Sequence, residues 1–406
     1  MRRHSMASRG ASRRVTTPTR PRRRVRRSRA RTRARDGARD GAKPANDGDA
    51  RAMMPRRTFA LSCASASALA TRRDASASDT LRAQYADAFE ALRRNAATTT
   101  VPMTLERGGA YAVEWTLGDA ARTLRGVVDT GSPFLTSQRR GCDASGAGAG
   151  WGCVEAEDVR FEAYDATFET YGLQADGRTS WYAGKRATLG SLEFEDLVFG
   201  VTDDVRGRDA APFVGLVKYT NRERGIRPSF LQQTDIASFA LDFERETLTL
   251  SRDSLVDESE IGVLRTVDLR SIGAPVYHYA TPCDELWING ERFETSKPIY
   301  VVFDSGTTGM LVDRQLYEDS DFHLGTYQTH MKFTDTNGET KYCGSSLRTC
   351  KLSEDCLFVV TPIDVPWPGC GDDFHIVFAG LSVLRNQGAL VVDAERGLVR
   401  LGRLVA

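Results

Sequence analysis

The sequence predicts an all-β protein assembled from two similar halves, and three observations lead there. From Tyr111 onward the chain breaks into short apolar or alternating runs at 111–117, 123–128, 167–171, 197–201, 239–241, 300–303, 357–360 and 390–392, separated by Gly, Asp and Pro. Many short strands between turn residues are the pattern of a β protein. Helical periodicity is scarce in the same region, confined to SFLQQTD at 229–235 and SVLRNQG at 382–388. The strand pattern also repeats. GVVDTGSPFL, which carries Asp129, returns 175 residues later as YVVFDSGTTGML, which carries Asp304. A second element follows each: Gly215 of FVGL lies 86 residues after Asp129, and Gly380 of FAGL lies 76 residues after Asp304.

The region before these strands is of another kind. The 406 residues carry a formal charge of +1, but residues 1–70 hold 20 of the 55 Lys and Arg and only 4 of the 54 Asp and Glu. The start of the chain is therefore +16 and the remainder −15. Residues 2–35 contain 15 arginines and no acidic residue, too polar to bury a core. Arg-rich, Ser-rich and acid-poor, this start reads as an organelle transit peptide; a phosphate-binding polybasic arm is the alternative. Residues 55–70, PRRTFALSCASASALA, have the charged, apolar and small-residue parts of an export signal, with paired Arg56 and Arg57 of the twin-arginine kind. Together they suggest a plastid address, extending to the thylakoid lumen. A secretory signal leading to a vacuole, lysosome or the cell exterior, or a transit peptide alone, are the other readings.

On this reading residues 1–70 are removed and the mature chain begins near Thr71. Within 71–100, Leu81, Tyr85, Phe89 and Leu92 share one helical face, which suits a linker helix or the remnant of a pro-segment. Residues 101–255 and 256–406 then form the two halves. No apolar run approaches the roughly 18 residues of a membrane-spanning helix, so no stable membrane span is expected.

The two Asp-Thr/Ser-Gly-Ser/Thr loops (Asp129, Thr130, Gly131, Ser132 and Asp304, Ser305, Gly306, Thr307), each followed by an apolar-apolar-Gly segment, resemble the signature of the pepsin-like aspartic proteases. The likeness extends to Phe168-Glu169-Thr170-Tyr171-Gly172, similar to that family's flap hairpin, and to the ending GLSVLRN followed by Val391-Val392-Asp393. It covers about residues 101–404. It implies a bilobal acid-protease fold of two β-barrel-like lobes, with a cleft between them that takes one catalytic aspartate from each. It also implies a monomeric endopeptidase that needs no cofactor, acts on proteins or peptides with apolar residues beside the cleaved bond, and has no nucleic-acid partner once mature.

The residues themselves suit that chemistry. Hydrolysis of a peptide bond without a metal or a covalent intermediate needs one group to take a proton from water and another to give one to the carbonyl oxygen. Two carboxyls meeting at one water can do both, because like charges so close cannot both ionise, a splitting for which aspartic proteases are the standard illustration. Asp129 and Asp304 are the expected pair. Gly131 and Gly306 allow close backbone approach and supply N–H donors, and Ser132 and Thr307 are placed to bond the outer carboxylate oxygens. By the resemblance, the hydroxyls of Thr130 and Ser305 cross to the opposite loop, and Tyr171 closes over substrate from a hairpin with its tip within 173–178. One residue departs from the family: Thr136 stands where a tryptophan usually partners the flap tyrosine, which places the flap and one subsite wall in question. A catalytically weak or inactive relative that binds or inhibits is the alternative function.

Past Cys63 the chain holds seven cysteines. By the resemblance Cys142 pairs with Cys153; Cys343, Cys350, Cys356 and Cys370 leave three pairings open, and Cys283 is the free thiol. His278, His323, His330 and His375 are scattered and no Cys-x-x-Cys occurs, so no metal site is expected. Disulfides and an acidic mature body fit an oxidising, acidic lumen.

Overall fold

Alternation and continuous apolar runs decide where each strand lies. In Thr98–Pro102 the side chains of Thr99 and Val101 are buried and their neighbours exposed, as expected for an edge strand with one covered face. Ser238–Asp242 and Ala389–Asp393 are buried at every position, and they occupy the middle of a six-stranded sheet in the order 98–102, 247–251, 238–242, 389–393, 398–401, 263–265. This sheet joins the two halves of the repeat: Phe239 pairs with Val392 and Leu241 with Leu390. The computed structural model describes residues 97–106, 109–138, 150–171, 175–206, 211–218, 228–324, 328–346 and 360–402. The expectations for the targeting region and for the helix at 78–94 lie outside the described residues.

Two further sheets belong to residues before 230 and two to residues after 280. In the first half, Arg122–Asp129 lies between Phe213–Gly215 and Tyr111–Leu117. The second sheet of that half runs 136–138, 198–206, 175–184, 159–171. In the second half, Ile299–Phe303 lies between Ala280–Cys283 and His375–Ala379, with Met310–Asp313 and Val360–Ile363 beyond. Glu285–Ile288, Gln328–Thr334 and Thr340–Ser346 form the core of the last sheet. The protein is mostly β, with curled sheets.

The sequence repeat becomes a repeated pairing. The strand leading into each aspartate runs parallel to the strand of the apolar-apolar-Gly element, with Gly215 opposite Asp129 and Ala379 opposite Phe303. The chain then returns antiparallel on the other side of that element, Leu135 bridging Val214 and Met310 pairing with Ala379. Both glycines are needed for the crossing: a methyl group on Gly215 would fall 2.5 Å from Phe134 N, and one on Gly380 would meet the carbonyls of Thr307 and Gly309.

Three differences from expectation have physical causes. A helix at Arg314–Asp319 follows the strand Met310–Asp313, started by Asp313, whose carboxylate accepts from Leu316 N; its one buried side chain, Leu316, leaves no apolar periodicity to read. The hairpin tip is shorter than 173–178, because Asp176, Gly177 and Arg178 pair with Thr170, Glu169 and Phe168 on one side and with Arg206, Val205 and Asp204 on the other. A strand laddered on both sides overrides turn chemistry. Finally, Cys343 and Cys370 are unpaired, as is Cys283, against the expected pairing among the later cysteines. Cys343 is buried against the core from the strand Thr340–Ser346, opposite Met331. Cys142, Cys350 and Cys356 lie outside the described residues, and with them the expected Cys142–Cys153 bridge. Among the described residues no helix is long and apolar enough to cross a membrane.

Candidate active site

Asp129 ends the strand Arg122–Asp129 and Asp304 follows directly on the strand Ile299–Phe303, and the fold brings the two together. Behind them the loops are locked by four reciprocal hydrogen bonds. Thr130 Oγ1 donates to Phe303 O at 2.8 Å and accepts from Ser305 N at 2.8 Å. Ser305 Oγ donates to Val128 O at 2.7 Å and accepts from Thr130 N at 3.1 Å. Both residues are fully buried, so each hydroxyl is satisfied only by the opposite loop. Breaking one such bond would leave a buried polar group unpaired, at a cost of about 1–3 kcal/mol.

Each glycine serves both loops. Gly131 N donates to Asp129 Oδ1 at 2.7 Å and Gly306 N to Asp304 Oδ1 at 2.9 Å. Their α-carbons, meanwhile, lie against the opposite aspartate: a methyl group on Gly131 would fall 2.8 Å from Asp304 Oδ1, and one on Gly306 closer still to Asp129 Oδ1. Only glycine lets the carboxyls approach one another this closely.

The outer oxygens are treated differently. Thr307 Oγ1 donates to Asp304 Oδ2 at 2.8 Å. Ser132 Oγ, expected to do the same for Asp129, is buried without a hydrogen-bond partner. The backbone around it is held by Ser132 O accepting from Val217 N at 3.0 Å and Pro133 O from Phe230 N at 2.9 Å. The hydroxyl lies close enough to Asp129 to favour the charged form slightly.

Burial pushes the Asp129 carboxyl up to about 7, with the charge of Asp304 adding to the rise and the Gly131 N–H opposing it. Burial also raises Asp304, against the pull of the Thr307 hydroxyl and the Gly306 N–H. Such titrations belong to the pair. The donors at Asp304, Thr307 Oγ1 and Gly306 N, favour the charged form there, while burial and the neighbouring charge favour the protonated form of Asp129.

Around the pair, Thr136 is buried and its Oγ1 accepts from Phe213 N at 2.7 Å, tying its strand to the Phe213–Gly215 element. A fully buried indole is nearby on another strand: Trp181 packs edge-on to Phe134 at 5.0 Å and donates from Nε1 to Thr167 Oγ1 at 2.9 Å. Tyr171 is the last residue of its strand, its backbone paired with Ala175, and Gly172 lies outside the described residues. Among the described residues no group of three or more His, Cys, Asp or Glu side chains could hold a metal ion.

Sequence reasoning missed two neighbours. Tyr279 is fully buried and hydrogen-bonds Leu216, in the segment after Gly215, and Phe303, the residue before Asp304. His278 is buried between Trp367, stacked at 5.6 Å, and the edge of Phe378 at 6.1 Å. They stand in the run Tyr277-His278-Tyr279, which has no period or motif to mark it. The chain matches no family model and no curated protein sequence.

Proposed function

We propose that this chain is an aspartic-type endopeptidase of the pepsin-like kind, with Asp129 and Asp304 as its catalytic pair and a bilobal arrangement of the two halves. The observation that carries the reading is the close approach of two carboxyls from repeated loops, each held against the other loop's glycine. Residues kept only for turn chemistry would have no need of a buried, hydroxyl-locked acid pair, which is costly to keep away from water.

In the proposed reaction a water held between the carboxyls is the nucleophile. Asp304, whose charge is supported by Thr307 Oγ1 and Gly306 N, takes its proton, while Asp129 gives its own to the carbonyl oxygen of the scissile bond. The tetrahedral intermediate then collapses as the roles exchange: the proton on Asp304 goes to the leaving amine, and Asp129 recovers the proton of the hydroxyl. Because the pair keeps its shared proton up to about 7, cleavage extends from the mildly acidic range toward neutrality. The hairpin bearing Tyr171 and Gly172 is the proposed cover over the peptide, and apolar residues beside the cleaved bond are the proposed preference.

The test is a peptide-cleavage assay on the chain from Thr71, between about pH 3 and 7, with pepstatin and with Asp129→Asn and Asp304→Asn. Cleavage blocked by the inhibitor and by either substitution is expected, with a loss of about 10²–10⁴-fold. A wild type that cleaves nothing and binds no pepstatin makes this a non-enzymatic binding protein instead, and full activity in either variant removes the pair.

A further inference from the structure

The two halves satisfy the carbonyl after the apolar-apolar-Gly element by different means. In the second half Gly380 runs straight into the helix Leu381–Leu384, and Leu381 O accepts from the backbone N–H of Arg385. In the first half Leu216, Val217 and Lys218 after Gly215 are not helical, and Leu216 O accepts instead from the phenol of Tyr279 at 2.6 Å. A side chain contributed by the other half of the chain takes the place of a helical turn.

That phenol is well placed to act on the acid pair. Its oxygen also accepts from Lys218 N at 3.2 Å. Between those two groups, the same segment holds the first aspartate loop, with Leu216 N donating to Asp129 O at 2.8 Å and Val217 N to Ser132 O at 3.0 Å. The backbone of Tyr279 holds the other loop: its carbonyl accepts from Phe303 N at 3.1 Å, one residue before Asp304. The ring is 0% exposed and packs edge-on to Phe239 of the six-stranded sheet at 5.6 Å, so it cannot swing.

We propose that Tyr279 is a positioning residue for the aspartate pair: by bonding Leu216 and Lys218 through its phenol and Phe303 through its carbonyl, it sets the spacing of the Asp129 loop against the Asp304 loop. It touches neither water nor substrate. Removing the hydroxyl frees Leu216 O, lets the Asp129 loop settle away from Asp304, and admits solvent between the carboxyls. The inference rests on the acid pair of the proposed function, but its primary readout needs no turnover.

The experiment is Tyr279→Phe, with the carboxyl titrations of Asp129 and Asp304 followed by ¹³C NMR beside a thermal melt, and with Phe239→Leu as the control that loosens the ring's packing and leaves its hydrogen bonds. The upper titration of the pair is expected to fall by about one unit in Tyr279→Phe and to stay in place in Phe239→Leu. Where the wild type cleaves peptide, kcat should fall about tenfold with KM within twofold. A titration unchanged in Tyr279→Phe, with only a lower melting temperature, overturns the proposal. If Tyr279→Phe does not fold, fluorotyrosine labelling of the wild-type chain replaces it. A Tyr279 fluorine signal that moves with the pair's midpoint upholds the positioning role, and one that stays flat through that midpoint ends it. A wild type without proteolysis removes the enzyme reading and leaves both titration results decisive.

Discussion

The loops at Asp129 and Asp304 share a scaffold almost bond for bond. In each, a glycine N–H meets the local carboxylate, a hydroxyl crosses to the other loop, and a parallel strand closes one side. They differ at the outer oxygen, where Thr307 Oγ1 bonds Asp304 at 2.8 Å while the Ser132 hydroxyl lies near Asp129 without reaching good bonding geometry, and at the rear, where a helix backs one loop and Tyr279 the other. Duplication supplies two carboxyls at close quarters, while local departures from symmetry decide which one carries the proton. Two identical environments would leave the proton without a preferred site; a single hydroxyl is enough to bias it, since a hydrogen bond to a charged group is worth about 1.5–3 kcal/mol.

Replacing either aspartate by asparagine should abolish the comparison, with the largest effect, because the pair then has either no base or no acid. The glycines come next. Gly306→Ala should cost more activity than Gly131→Ala, since its added methyl lies nearer the opposing carboxylate; both should lower stability by about 1–3 kcal/mol in denaturant titrations. Thr307→Val sharpens the contrast: loss of the hydroxyl raises the proton affinity of Asp304, so the acid limb of the pH–rate profile should move up by about one unit. Ser132→Ala should move that limb less than Thr307→Val does, since its hydroxyl favours the Asp129 charge without reaching good bonding geometry.

The smallest effect is on stability against pH. Asp129 is raised from 3.8 to about 7, so the folded state holds a proton that the unfolded chain releases. Its contribution is complete below 3.8 and is lost as pH rises through about 7. His278 acts in the opposite direction. Burial between two aromatic rings lowers it from 6.5 to about 4, so its contribution is complete above 6.5 and is lost, up to about 3 kcal/mol, as pH falls toward 4. Between about pH 4 and 6.5 the two slopes oppose and cancel, so chemical denaturation from pH 4 to 8 should show a plateau up to about 6.5 and a fall above it; Asp129→Asn should expose a rise with pH across that window and His278→Phe a fall.

How much of this was legible in the sequence follows from how local each signal is. Strand runs such as 239–241 and 390–392, and the repeat around Asp129 and Asp304, are written in consecutive residues, and the observed strands 238–242 and 389–393 extend them by a residue at each end. The short helix at 314–319 escaped because one buried leucine makes no period. The turn character of Asp176-Gly177-Arg178 was overridden by ladders on both sides, which only the folded sheet supplies. At the site, spacing and residue type pointed to the aspartates, glycines and crossing hydroxyls. The placement of the Ser132 hydroxyl and the brace from Tyr279 depend on contacts between residues 63 or more positions apart, for which a single sequence has no marker.

The claim on which the rest depends is that Asp129 and Asp304 share one proton unequally, and carboxyl titration of the full chain by ¹³C NMR tests it directly. Two separated steps are predicted, the upper near 7 and centred on Asp129, with Asp304 carrying charge below it. Two ordinary carboxylates, both titrating near 4 and independently of each other, would contradict it.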